Sequence, residues 1–91
     1  CVYCRKQMTE PSKNSERTRW ATIEHLNHLP PWNNPETVVI CCQQCNSSRG
    51  NRTLPMWFTM PYCVRRNISE HTVTEPVVNY LQFGKTLTIF D

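Results

Sequence analysis

The spacing of apolar and polar positions divides the chain into short elements. Across RWATIEH (19–25), Trp20, Thr22 and Glu24 alternate with Ala21, Ile23 and His25, which is the period of two expected of a strand. TVVIC (37–41) is a β-branched run and the clearest strand in the chain. Between them, NHLPPWNNPE (27–36) holds three prolines and three asparagines. Proline removes backbone donors and asparagine favours turns, so this stretch is predicted to be a long hairpin loop. The polar stretch TEPSKNSERT (9–18) also reads as a loop.

Helical signals follow the second strand. A helix is predicted to open near Cys45 and run past Arg49, although its serines and Gly50 are weak helix formers. Tertiary contacts must therefore hold it. Thr53-Leu54-Pro55 resembles a helix start, with Met56, Trp57 and Met60 directed to the core. Residues 61–68 carry no clear signal. Thr74-Glu75-Pro76 opens another helix, with Val77, Val78 and Leu81 on one side and Gly84 closing it. Thr86 to Phe90 then reads as a final strand. The predicted class is small α+β, in one domain spanning 1–91. Residues 1–52 form a hairpin–helix core, and 53–91 form a C-terminal helical extension of unassigned role.

A 91-residue domain buries a limited core and needs a staple. Six cysteines supply candidates. Cys1 and Cys4 form one C-x-x-C pair, Cys42 and Cys45 a second. A two-residue gap turns both sulfurs toward one ion, and two such pairs complete a tetrahedral structural Zn²⁺ site. Disulfides are the competing use of six cysteines, but thiols within one C-x-x-C pair join only under strain outside redox motifs. Cys41 stands beside Cys42 as an alternative ligand, without the two-residue gap to Cys45. Cys41 and Cys63 otherwise read as small buried hydrophobes.

Ten Lys and Arg against seven acids give a formal charge of +3, which permits a polyanionic partner without demanding one. No secretory segment and no membrane-length apolar run is visible, so an intracellular setting is expected. A chain that opens on Cys is compatible with a processed product or part of a larger parent chain.

The chemistry concentrates where the hairpin meets the helix. Glu24-His25 ends the first strand, and Asn46 follows a zinc-pair cysteine. A carboxylate and an amide oxygen are hard donors suited to Mg²⁺ or Mn²⁺, with positions left for water and phosphate oxygens. An adjacent imidazole can take the proton of an attacking water if its other nitrogen is held, commonly by a backbone carbonyl. His28 is a candidate assistant. Arg49 and Arg52, further along the helix, are candidate contacts to DNA phosphates, or else part of a solvated face. Arg5, Lys6, Arg17 and Arg19 extend the basic surface. Arg65, Arg66 and His71 carry no assigned role. Trp20 and Trp57 read as packing residues, and Trp32 in the proline-rich loop is the exception.

The stretch TIEHLNHLPPWNNPETVVICCQQCNSSRGNR resembles the HNH endonucleases, in their zinc-bearing branch that includes phage endonuclease VII and HNH restriction enzymes. Their ββα-metal motif reads acid-His, a loop, a hydrophobic strand, then C-x-x-C-Asn/His-x-x-Lys/Arg-Gly. The resemblance spans residues 1–52. It implies a DNA endonuclease with His25 as general base, and Glu24 and Asn46 as ligands of a catalytic divalent metal. It also implies Cys1, Cys4, Cys42 and Cys45 around a structural zinc. The family's middle asparagine is replaced by Thr37, with Asn33 or Asn34 nearby as substitutes. A homodimer is the expected form for a duplex cutter. The competing expectation is a non-catalytic four-cysteine zinc module that binds nucleic acid or protein. That module needs only the cysteines and the basic residues.

Overall fold

The period-two segment and the β-branched run pair as predicted. In the computed structural model, which describes residues 1–90 and side chains through Gln82, β1 (Ala21–His25) runs antiparallel to β2 (Val38–Cys42). The register sets Thr22 opposite Cys41, Glu24 opposite Val39 and Ile23 opposite Ile40. One face of the hairpin therefore carries the buried Glu24, Val39 and Cys41, and the other carries the exposed Ile23 and Ile40. The helices are α1 (Gln43–Arg49), α2 (Leu54–Phe58), α3 (Pro61–Arg66) and α4 (Glu75–Phe90). The result is a small α+β fold on a two-stranded sheet.

α1 opens two residues before the predicted position because Cys42 caps it, its sulfur accepting from the Cys45 amide. Gly50 ends it at φ +54° and ψ −129°, a backbone shape that a Cβ would strain. The loops on either side of the sheet are tied down. Thr9 bridges Trp20, and the Trp20 indole donates to Ser15 at 2.8 Å. In the proline-rich loop the Asn34 carbonyl accepts from the amides of Thr37 and Val38, each at 3.0 Å, and Leu26 donates to the Thr37 carbonyl at 2.7 Å. Thr37 and Asn34 together thus close the hairpin loop.

The C-terminal extension wraps back onto the N-terminus. Thr74 donates to the Val2 carbonyl at 3.0 Å, and the Arg5 guanidinium donates to the Thr72 carbonyl at 2.7 Å. Trp57 is fully buried, with its ring edge-on to Tyr3 at 4.9 Å and its indole donating to Ser48. Two expectations are corrected here, and one stretch without a sequence signal gains a structure. Met56 faces solvent, because Leu54 and Trp57 already direct α2 inward. Residues 61–66 form α3, started by Pro61 and ended by Asn67 in the left-handed region. The strand expected at Thr86–Phe90 is instead a continuation of α4 through Gly84. A strand requires an edge to pair with, whereas a helix satisfies its own backbone. Both edges of this sheet are engaged, β2 by the Val2 amide on Ile40 and β1 by α1. Among the described residues no helix is long and apolar enough to cross a membrane.

One pair of charges lies inside the core. Arg49 and Glu24 are each 2 % exposed and form an ion pair at 3.2 Å. Arg49 also donates to the Leu26 carbonyl at 2.6 Å and to the Arg52 carbonyl at 2.9 Å. Removing one partner of such a pair costs about 3–5 kcal/mol, because the other charge is stranded. Arg49→Met is therefore expected to lower stability by about that amount in denaturant unfolding of metal-saturated protein, with Glu24→Leu/Arg49→Met recovering a large part of it. A double variant that loses the sum of the two single losses would contradict the coupling.

Candidate metal centre and adjoining polar site

Two sharp turns bring the cysteine pairs together. In the first, the amides of Tyr3 and Cys4 donate to the Cys1 sulfur at 3.4 and 3.5 Å. In the second, the Cys45 amide donates to the Cys42 sulfur at 3.5 Å. The sulfurs of Cys1, Cys4, Cys42 and Cys45 all lie within 4.8 Å of one another, and Cys4 is 3.8 Å from Cys42. Four sulfurs placed tetrahedrally at about 2.3 Å from zinc would stand roughly 3.8 Å apart. The cluster thus fits one metal ion with small adjustment. Cys42, not Cys41, belongs to it.

The thiols differ according to their surroundings. Hydrogen bonding from Cys45 lowers Cys42 to about 7, and the same bond together with burial raises Cys45. At Cys4, burial opposes ionisation, but hydrogen bonds from the Lys6 amide and the neighbouring thiols outweigh it. Outside the cluster, burial followed by the Glu24 charge pushes Cys41 up to about 12, and burial pushes Cys63 up to about 11. Those two remain neutral thiols in the core.

Beside the cluster, α1 lies along the edge of β1 that faces away from β2. Asn46 donates to the Ile23 carbonyl at 3.1 Å and Arg49 to the His25 carbonyl at 3.4 Å. Asn46 and Arg49 are one helical turn apart, and they engage strand residues two apart: Asn46 donates to Thr22 Oγ1 at 3.0 Å, and Arg49 pairs with Glu24. The Arg49 expectation is thereby corrected. It is not a surface contact for DNA, because its guanidinium is buried and its nitrogens are occupied by protein oxygens. Arg52 is exposed and caps α1, donating to the Ser48 carbonyl at 3.0 Å.

The three residues expected around a catalytic ion are distributed unevenly. Glu24 and Asn46 meet the same β1–α1 junction, but Glu24 Oε2 already accepts from the Tyr3 hydroxyl at 3.0 Å and from Arg49. Both amide hydrogens of Asn46 are used, which leaves its carbonyl oxygen as the available donor atom. Strand alternation sends His25 to the face opposite Glu24. There its Nε2 lies 2.8 Å from the Trp32 carbonyl, and the two rings meet edge-on at 5.2 Å. That contact fixes the proton on Nε2 and leaves the lone pair on Nδ1.

His28 adopts a left-handed backbone, φ +54°, and its buried Nε2 has no hydrogen-bond partner among the described residues. Burial, then the Arg49 charge, lowers its pKa. It lines a cleft of about 150 Å³ with Leu26, Arg49, Arg52, Thr53 and Tyr80. Sequence reasoning missed Tyr3, which joins the first cysteine turn to Glu24, and Tyr62, whose hydroxyl lies 3.2 Å from Cys45 Sγ. No local pattern marks either residue, because both contacts span separate elements.

Purified protein is expected to carry one zinc per chain by elemental analysis. Cys42→Ser should abolish retention and Cys41→Ser should preserve it. Because the ion binds thiolates, acidification should release it and alkalinisation should tighten it, measured by chelator competition across pH. Equal retention by the two variants would contradict the assignment. Comparison with known proteins found no matching family model, no matching curated protein and no matching solved structure.

Proposed function

We propose that this chain is a DNA endonuclease domain of the HNH type, in which His25 is the general base and the four cysteines hold a structural Zn²⁺. The supporting observation is the 2.8 Å contact between His25 Nε2 and the Trp32 carbonyl, which presents a half-exposed imidazole in one tautomer. The carbonyl belongs to a loop closed by Asn34 and Thr37, so the ring is held without a second carboxylate.

In this reading His25 Nδ1 takes the proton of an attacking water. The water oxygen bonds to phosphorus, and the bond from phosphorus to the 3′ oxygen breaks. Mg²⁺ or Mn²⁺, when bound, would supply positive charge to the phosphate and to the leaving oxygen. Asn46 Oδ1 and Glu24 Oε1, the carboxylate oxygen outside the bonds to Tyr3 and Arg49, would be the atoms to hold it. Arg52, exposed at the end of α1, would contact a backbone phosphate, and His28 lines the same cleft.

A second reading is favoured by the Arg49–Glu24 pair. A guanidinium 3.2 Å from the carboxylate competes with any cation for it. In that reading the chain is a non-catalytic zinc module that binds nucleic acid or protein. The two readings separate in a nicking assay on supercoiled plasmid with zinc-loaded protein, Mg²⁺ or Mn²⁺, and EDTA as control. The nuclease reading expects metal-dependent nicking that His25→Ala lowers at least about 100-fold while the zinc content is retained. DNA binding without nicking under either ion would leave only the second reading.

A further inference from the structure

A loaded four-cysteine site is not electrically neutral. Four thiolates around Zn²⁺ leave two negative charges, and a partly buried site must stabilise them with hydrogen-bond donors. Most of those donors are local. Cys1 takes the amides of Tyr3 and Cys4, Cys42 takes the amide of Cys45, and Cys4 takes the amide of Lys6. Each of these comes from within a cysteine turn or next to one.

Cys45 differs. It is fully buried, and apart from its fellow ligands Cys4 and Cys42 the one side-chain partner of its sulfur among the described residues is the Tyr62 hydroxyl, at 3.2 Å. Tyr62 is on α3, 17 positions along the chain. Its ring is stacked on Trp57, with centroids 5.9 Å apart and planes 24° apart. On Tyr62 sits the Arg66 guanidinium, 3.7 Å from the ring centroid, and Arg66 also donates to the Tyr62 carbonyl at 3.2 Å. A cation over a phenol ring draws electron density from it and strengthens the hydroxyl as a donor. Arg66 also brings positive charge toward a site of net negative charge.

We propose that Tyr62 donates its hydroxyl hydrogen to the Cys45 sulfur of the loaded site and, with Arg66 stacked on its ring, sets how tightly the ion is held. Tyr62 acts as a positioning residue, touching a ligand and not the ion. Residues 53–82 are then part of the metal centre and not an appendage to it. The inference rests on the four-cysteine cluster holding a metal, and it is independent of the nuclease reading.

The test uses the full chain as wild type, Tyr62→Phe and Arg66→Gln, each titrated with Zn²⁺ against a chromophoric chelator and separately loaded with Co²⁺. Phenylalanine keeps the stacking on Trp57 and removes the hydroxyl alone. Tyr62→Phe is expected to weaken zinc binding about 10- to 100-fold, the range for loss of a hydrogen bond to a ligand. It should also move the thiolate-to-Co²⁺ charge-transfer band to lower energy, since a sulfur without its donor gives up an electron more readily. A purely structural role would not shift that band. Arg66→Gln should move both readouts in the same direction by less. Zinc affinity within about twofold of wild type and an unmoved band in Tyr62→Phe would overturn the inference. If that variant fails to fold, an unmoved band in Arg66→Gln overturns it instead. A wild-type chain that takes up no stoichiometric metal removes the cluster reading and this inference together, whereas wild-type uptake with an indifferent Tyr62→Phe removes this inference alone.

Discussion

The buried guanidinium of Arg49 is the contact on which the hairpin–helix arrangement depends. It touches Glu24 on β1, the carbonyls of His25 and Leu26 where the strand ends, the Tyr3 hydroxyl from the first cysteine turn, and the Arg52 carbonyl beyond α1. A planar fork of five donors can satisfy that many acceptors from separate segments, and a lysine cannot. The charge is tolerated in the core because Glu24 is buried beside it and Tyr3 completes the carboxylate's hydrogen bonding. Burial, and then the Glu24 charge, holds the Tyr3 hydroxyl in its neutral form.

The cysteine cluster acts on the same segments from the other end. It brings residues 1–4 beside residues 42–45, so the N-terminus and the β2–α1 junction meet at one point. α1 is only seven residues long and poor in propensity, so it does not stand alone. Cys42 caps it, Cys45 ties its first turn to the cluster, and Arg49 anchors its last turn to β1. Asn46 lies between these two anchors, which gives its amide little freedom. A small apolar core around Trp57, Tyr3 and Val77 completes the packing.

Much of the hairpin was legible from residue type and spacing. The alternation before His25, the prolines and asparagines of 27–36 and the β-branched run 37–41 are local signals with local causes. The cysteine set was equally legible, because two residues between cysteines are enough to turn both sulfurs to one side. Arg49 was not. As an arginine on a polar helix it reads as a surface residue, and only the opposing Glu24 makes its burial favourable. Glu24 and His25 are adjacent in sequence, yet strand alternation separates their side chains, so adjacency overstated how closely they converge. The final segment failed as a strand because strand formation depends on a free edge elsewhere in the molecule.

The amino-acid sequence by itself determined the hairpin, the loop that interrupts it and the two cysteine turns, since each follows from dihedral preference or spacing within a few residues. Only the tertiary structure decided that Arg49 and Glu24 pair in the core, that α1 lies along the β1 edge, and that Tyr62 reaches Cys45. These are encounters between segments 17 to 25 positions apart in the chain. Their stability comes from mutual burial and charge compensation, and neither partner carries that information alone.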